Sequence, residues 1–106
     1  MTSEGTSYRI LDLVSGFQRY LEASTDLLPL TCKHYVYHVR KFAEAMGNRS
    51  LRRVSLEDLP EFDSGLRERG YAHGNINQIH SALKKFLQYV KRFREDRHAG
   101  LLLDAL

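Results

Sequence analysis

The stretch HGNINQIHSALKKFLQYVKRF, residues 73–93, contains the clearest helical pattern of the chain. Its apolar residues recur at intervals of three and four and so share one side of an α-helix; they are Ile76, Ile79, Leu83, Phe86, Leu87 and Val90. The opposite side has no acid before Glu95, and it carries Asn77, Ser81, Lys84, Gln88 and Lys91, flanked by Lys85 and Arg92. The pattern predicts a helix from about Asn75 to about Asp96, with one buried face and one polar, cationic face.

Two earlier segments repeat this period, and both end at residues that stop helices. The stripe of the first segment consists of Ile10, Val14, Phe17 and Leu21, and a Ser-Thr-Asp cluster at residues 24–26 marks its end. The stripe of the second consists of Tyr35, Val39, Phe42 and Met46. We predict that the second helix starts at Thr31, whose hydroxyl can accept a hydrogen bond from a first-turn N–H, and stops at a left-handed Gly47.

A third, shorter helix is predicted between Ser55 and Gly70. Ser55 and Asp58 have the spacing of a capping box, in which each side chain accepts a hydrogen bond from the other residue's backbone N–H. Pro60 has no N–H and fits only in a first turn, so the regular helix should begin near Glu57 or Asp58. Because no segment alternates apolar and polar residues over the length of a strand, the sequence predicts an all-α fold, a compact bundle of four to five helices.

The chain ends in a short apolar tail, AGLLLDAL, from Ala99 to Leu106. This tail either packs on the bundle or belongs to a following domain. We therefore divide the chain into a flexible segment (residues 1–9), a helical domain (10–96) and a tail or the start of a linker (97–106).

Length and composition set limits on the class of protein. A chain of 106 residues fits one domain. No run of about 18 apolar residues is present, and the first residues lack the pattern of a signal peptide. The single cysteine, Cys32, excludes an internal disulfide framework. We expect a soluble intracellular protein with no membrane partner.

Positive charge is concentrated in two blocks of the sequence. Residues 31–53 hold six Lys or Arg against one acid, and residues 71–98 hold six against two acids. Between them, residues 55–69 hold five acids against two arginines, and the whole chain has a net charge of +3. If the fold brings the two basic blocks together, they form a surface suited to a polyanion.

The second predicted helix also carries a polar face opposite its core stripe. Its members are Lys33, Tyr37, Arg40 and Lys41, with His34 at the edge, and Arg49, Arg52 and Arg53 extend the charge into the following loop. Lysine and arginine are good helix formers, so both faces can be interpreted as ordinary solvated surface. Two features favour a nucleic-acid surface: neither face has the Glu–Lys alternation of a self-supporting exposed helix, and the fourth helix mixes amides and a hydroxyl with its cations. Such side chains bond phosphates and base edges.

Metal and catalytic chemistry have little support in the sequence. His34 and His38 have the spacing of a metal-binding helix, but Cys32 points elsewhere and no third ligand converges, so we expect neither a metal nor a cofactor. None of the six tyrosines has an activating partner. The acids from Glu57 to Asp63 resemble a solvated helix start, which the helix dipole favours. We predict that this chain alone is not an enzyme.

Four short motifs occur in a characteristic order. They are Thr31, Tyr35, Val39 and Phe42; the run VSLEDL at residues 54–59 with Phe62 and Leu66; Asn75-Ile76-Asn77 after Gly70; and Ser81-Ala82-Leu83-Lys84 with Phe86 and Tyr89. Over roughly residues 10–93, this order resembles the N-terminal core-binding domain of the tyrosine recombinases, also called phage integrases. Asn75 stands where that family often has Thr, and it is expected to cap the fourth helix in the same way.

The resemblance implies a SAM-like bundle that binds half of a recombination site in double-stranded DNA, with the catalytic domain of the same parent protein on the other side of the duplex. Its second and fourth helices face the DNA. By position, this places Lys33, Tyr37, Lys41, Asn77, Ser81, Lys84 and Gln88 on the DNA face. The full candidate set adds their neighbours His34, Arg40, Arg52, Arg53, Asn75, Gln78 and Lys85.

The resemblance also implies other partners and a location. We expect further protomers of a recombinase assembly on DNA, and a cytoplasmic protein that is nucleoid-associated when bound. The family's catalytic set includes a His-x-x-Arg motif, which the chain lacks, so strand cleavage is not encoded here.

Two other functions are compatible with a small helical domain. A SAM-like protein-interaction module would need an exposed apolar patch, for which residues 99–106 are the candidate. A free-standing transcriptional regulator would need a short helix-turn-helix pair, which the sequence does not show convincingly.

Overall fold

The computed structural model describes residues 8–24 and 26–106, and in this part of the chain it contains five α-helices. They are α1 (Ile10–Ser24), α2 (Pro29–Ala45), α3 (Asp58–Glu68), α4 (His73–Phe93) and α5 (Arg97–Ala105), with a short 3-10 helix at Leu51–Arg53. The only β-type pairing there is an isolated bridge between Arg9 and Ser50. The all-α prediction is therefore confirmed. Residues 1–7 of the predicted flexible segment, and Thr25 at the predicted end of the first helix, lie outside the described residues.

The core is built around α4, which packs against α1, α2 and α5, while α1 and α2 also pack against each other. Phe17 of α1 and Phe86 of α4 are fully buried, and their rings meet edge to face with centroids 5.3 Å apart. Each such side chain contributes about 1.5–3 kcal/mol by burial alone. Every residue of the predicted apolar stripe of α4 is buried, so the period of the sequence identified the inner face correctly. No helix in residues 8–24 or 26–106 is long and apolar enough to cross a membrane.

The predicted start of α2 at Thr31 was wrong, but its predicted stop was right. The helix begins two residues earlier, at Pro29, with Leu28 as the N-cap residue and no side-chain cap. Proline suits the first helical position because its fixed φ is helical and its missing N–H has no partner to lose. At the other end, Gly47 has φ +67°, and the N–H groups of Gly47 and Asn48 donate to the carbonyls of Glu44 and Ala43. These two bonds form a Schellman motif, the left-handed stop that the sequence predicted.

The start of α3 follows the predicted capping box. The Ser55 N–H donates to Asp58 Oδ2 at 2.8 Å, and the Asp58 N–H donates to Ser55 Oγ at 3.3 Å. The regular helix begins at Asp58, so Pro60 falls in the first turn, where no N–H is needed. Arg49 also binds Asp58 Oδ2, at 3.1 Å, and therefore belongs to the support of this corner.

Both predicted ends of α4 were displaced. The helix begins at His73 after Ala72, whose side chain cannot cap, and Asn75 lies within the first turn, so the predicted capping role of Asn75 was wrong. It ends at Phe93 instead of continuing to Asp96, because Glu95 takes a left-handed φ of +52°. Asp96 instead caps the next helix.

The apolar tail is the helix α5, and it packs on the bundle. The carboxylate of Asp96 accepts hydrogen bonds from the N–H groups of His98 and Ala99. Ala99 and Leu102 are fully buried, and α5 packs against α4 and the 3-10 helix. The His98 Nε2 also donates to the Val54 carbonyl at 2.6 Å. Most of the apolar surface predicted for residues 99–106 is therefore used within the molecule, although Leu101 is 57% exposed.

Candidate nucleic-acid interface

The candidate residues of α2 are all on the surface. Lys33, His34, Tyr37, Arg40 and Lys41 are exposed, and the opposite face of the helix buries Cys32, Val36, Val39, Phe42 and Ala43. The separation follows from the helical period, since residues three and four apart fall on one side. The side chains are free to reach a partner without disturbing the core.

The candidate residues of α4 are exposed as well, with one exception. Asn75, Asn77, Gln78, Ser81, Lys84 and Gln88 are exposed, and Lys85 is half-buried. The Ser81 hydroxyl donates to the Asn77 carbonyl at 3.1 Å, one turn back along its own helix. The hydroxyl proton is thus used within the helix, and the hydroxyl oxygen can still accept a hydrogen bond from a partner.

α2 and α4 pack against each other, and α2 has neighbours on both of its flanks. Lys33, Tyr37 and Arg40 line a shallow groove together with Gln18 and Glu22 of α1. Tyr37 and Lys41 line a second groove against α3 and the start of α4. The candidate residues of α2 therefore spread over the exposed side of the helix, towards both grooves, and do not form a single narrow line.

Lys41 is the candidate cation with the most local contacts. Its Nζ lies 3.6 Å from Glu44 Oε1 and 5.7 Å from the centre of the Tyr37 ring. The Lys41 and Glu44 side chains are 52% and 66% exposed, so the pair is a surface ion pair worth at most about 1 kcal/mol. An anionic partner could displace Glu44 at little cost.

The arginines of the 3-10 helix lie on a different part of the surface. Arg52 and Arg53 are exposed, and Arg52 lines a cleft at the junction of α4 and α5. Arg94 and Arg97 line the same cleft, and Arg94 lies over the Tyr8 ring at 4.8 Å. The structure thus groups Arg52 with the arginines after α4, which the sequence had not associated with it.

The histidines and acids are distributed among surface and structural roles. Burial lowers the pKa of His38 from its usual value, and the nearby His34 lowers it further, so the neutral ring is favoured. Across the described ranges, no three His, Cys, Asp or Glu side chains come together as a metal site. Asp63 accepts a hydrogen bond from His80 Nε2 at 2.7 Å and links α3 to α4. Asp58 acts in the predicted capping box, whereas Asp63 links two helices, so the prediction of a solvated helix start was wrong for Asp63.

Sequence reasoning missed two residues that adjoin the candidate set. Arg69 and Tyr71, on either side of Gly70, line the same groove as Tyr37 and Lys41. Nothing local marks them, because a cation at the end of α3 is expected from the helix dipole alone. They lie near α2 only because α3 packs beside it in the folded protein.

Residues 14–93 match the family described as "Phage integrase, N-terminal SAM-like domain". The tyrosine recombinase XerC of Shewanella amazonensis is 30% identical to the chain over 74 residues, which cover 70% of this chain and 25% of that protein. The aligned region is thus about a quarter of the length of this curated relative. No solved structure matches the chain.

Proposed function

Because the chain belongs to the family of phage integrase N-terminal SAM-like domains, we propose that it is the non-catalytic DNA-binding domain of a tyrosine recombinase. In this proposal it holds half of a recombination site through the exposed faces of α2 and α4. The matched region is the N-terminal domain and not the catalytic region. Strand cleavage is then the task of a catalytic domain elsewhere in the parent protein.

The observation that best supports this proposal is the exposure of the candidate set. The two helices contact each other, and all fourteen candidate residues are exposed apart from the half-buried Lys85. Lys41 is the only one of their cations with an ion pair shorter than 4.0 Å to a described acid. Unpaired cations on two adjoining helices are suited to a phosphate backbone, which is a polyanion.

The side chains divide into two kinds of DNA contact. Lys33, Arg40 and Lys84 would neutralise phosphates, with release of the counterions bound to them. Asn77 and Gln88 carry amides that can donate to and accept from base edges in the major groove, which is wide enough for an α-helix. We expect weak binding by the chain alone, since it lacks the effective concentration that a tethered second domain supplies. Further protomers of the same parent protein would assemble on the DNA. The protein would be cytoplasmic, and nucleoid-associated when bound.

The direct test is a titration of the 106-residue chain against duplex DNA of arbitrary sequence at several salt concentrations. Six phosphate contacts predict that the logarithm of the association constant falls with the logarithm of salt concentration with a slope of about −5. An association constant independent of salt would contradict the proposal.

A charge-reversal variant tests which surface is used. Lys41→Glu combined with Lys84→Glu should abolish binding, because it places two acids where phosphates are expected. The matched control is Arg19→Glu with Arg67→Glu, which makes the same change in net charge at two exposed positions outside the candidate set. Circular dichroism should give the same helical content for both variants. Equal binding by the two variants would show that the assigned faces are wrong.

The alternative, a helical protein-interaction module, has less support from the structure. Ala99 and Leu102 of the apolar tail are buried within the molecule. Leu28 and Leu30 are 71% and 63% exposed at the start of α2, but a stable interface usually involves about 20 residues on each partner. Self-association in solution without DNA binding would favour this alternative.

A further inference from the structure

A groove with a cationic and aromatic rim runs between α2 and the turn from α3 to α4. α2 contributes Tyr37 and Lys41 to the rim, and the turn contributes Arg69 and Tyr71. The floor is apolar and consists of Phe62, Leu66 and Ile79, and the exposed Ala45 also lines the groove. The two walls thus bring together side chains that are about 30 residues apart in the sequence.

Backbone geometry fixes the positions of Arg69 and Tyr71. Gly70 has φ +86°, and the N–H groups of Gly70 and Tyr71 donate to the carbonyls of Arg67 and Leu66, both at 3.0 Å. This pair of bonds is a Schellman motif, which commonly sets a hydrophobic contact between the residue after the glycine and the last turn of the helix. Tyr71 and Leu66 both line the groove, so the turn that ends α3 also forms one wall.

An aromatic pair connects the two helices that border the groove. The rings of Phe42 in α2 and Phe62 in α3 meet edge to face, with centroids 5.1 Å apart. Edge-to-face pairs stabilise by about 0.5–1.5 kcal/mol beyond the area that they bury. This pair joins α3 to α2, and Phe62 also lines the groove.

The charge of the rim is positive. Lys41 and Arg69 are cations, and Glu44, which pairs with Lys41 at 3.6 Å, is the one acid among the described residues that line the groove. Arg69 makes no ion pair shorter than 4.0 Å with an acid in the described ranges. His38 also lines the groove, and burial and the nearby His34 lower its pKa, which favours the neutral ring.

We infer that this groove is a phosphate-binding site of the DNA interface, in which Arg69 and Tyr71 contact the backbone across from Tyr37 and Lys41. A guanidinium can hold two phosphate oxygens at once, and a phenol donates one further hydrogen bond. The inference rests on the proposed function and adds a third structural element, the α3–α4 turn, to a DNA-binding surface otherwise formed by α2 and α4.

Two neighbouring arginines provide a matched test. Arg67 and Arg69 are both exposed near the end of α3, but only Arg69 lines the groove. Binding of duplex DNA by the full chain should weaken about tenfold for Arg69→Ala, with the salt slope reduced in magnitude by about 0.9. Arg67→Ala should leave both quantities close to those of the unaltered chain. The thermal unfolding midpoint of each variant shows whether the fold is intact.

A substitution that is expected to strengthen DNA binding distinguishes a specific effect on the groove from a general loss of binding. Glu44→Gln removes the acid of the rim and releases Lys41 from its ion pair, so DNA binding should become severalfold tighter. Weaker or unchanged binding by this variant would overturn the inference, as would equal effects of Arg67→Ala and Arg69→Ala.

The outcomes separate the inference from the function on which it rests. If the unaltered chain does not bind duplex DNA at low salt, the proposed function fails. If it binds with the expected salt slope while Arg69→Ala and Arg67→Ala behave alike, the proposed function is retained and the groove is not part of the interface.

Discussion

At the scale of single residues, the close approach of α4 to α1 explains why residue 16 is a glycine. A Cβ at this position would overlap the Tyr89 hydroxyl. Tyr89 is only 8% exposed, and its ring lies 5.9 Å from Phe17 and 5.4 Å from Tyr20, measured between centroids. The hydroxyl therefore has little room to move away, and glycine is required for steric reasons and not for backbone freedom.

We predict that Gly16→Ala lowers the free energy of unfolding by about 1–3 kcal/mol, the usual cost of overpacking. Alanine normally stabilises a helix by about 1 kcal/mol relative to glycine, so the expected sign is the reverse of the intrinsic one. Urea unfolding measures the change. In a Tyr89→Phe background, which removes the hydroxyl, the same substitution should become neutral or stabilising.

Gly65 is the control for this prediction. It lies within α3, and a Cβ there would meet nothing within 4 Å. Gly65→Ala should stabilise the protein by about 0.5–1 kcal/mol. If Gly16→Ala stabilised the protein to the same extent with Tyr89 intact, the close contact between α1 and α4 would be wrong.

At the scale of the elements, the helices differ in how their first turns are satisfied. α3 begins with a reciprocal capping box, and α5 begins with the carboxylate of Asp96. α4, the longest helix, begins after Ala72 with no side-chain acceptor. Its first N–H groups are left to solvent or to a bound anion, because a helix start leaves several N–H groups without intrahelical partners.

We predict that Ala72→Asn raises the free energy of unfolding by about 1 kcal/mol, the usual gain from a side-chain cap. Ala72 already has the extended backbone of an N-cap residue, with φ −69° and ψ 153°. Thermal unfolding should show the midpoint rising by about 4–8 °C for a domain of this size. Ala72→Leu adds bulk without an acceptor and should bring no gain; equal gains from both variants would exclude capping as the cause.

At the scale of the whole molecule, α5 completes the core. It buries Leu102 fully and packs against α4 and the 3-10 helix. The side chain of Lys91 passes over Gly100, with its Cδ 3.4 Å from the position of a Cβ there. The aliphatic part of Lys91 therefore lies against α5, although the sequence pattern placed this lysine on the outer face of α4.

We predict that Leu102→Ala lowers the free energy of unfolding by about 2–5 kcal/mol, as expected for removal of a large apolar side chain from a core. Leu101→Ala is the matched control, because Leu101 is 57% exposed and should change stability by no more than about 0.5 kcal/mol. Denaturant unfolding measures both. If the two substitutions had equal small effects, α5 would not be docked as described.

The sequence by itself determined four of the five described helices, most of their inner faces and several of their ends. The apolar period of α1, α2 and α4 and the stops at Gly47 and Gly70 depend on residues only a few positions apart. The same holds for the capping box of Ser55 and Asp58. Local patterns of this kind are set by backbone geometry and nearby hydrogen bonds, so they can be predicted without knowing the fold. The polar faces of α2 and α4 follow from the same period, and the structure leaves them exposed.

Only the tertiary structure decided which distant residues share a surface. The packing of α3 against α2 brings Arg69 and Tyr71 to the groove of Tyr37 and Lys41, and the docking of α5 groups Arg52 with Arg97. It also turned the apolar tail into core, where the sequence left two possibilities open. The physical reason is that such neighbours are created by burial of apolar faces between helices, and a helical period specifies which face is buried but not which helix covers it.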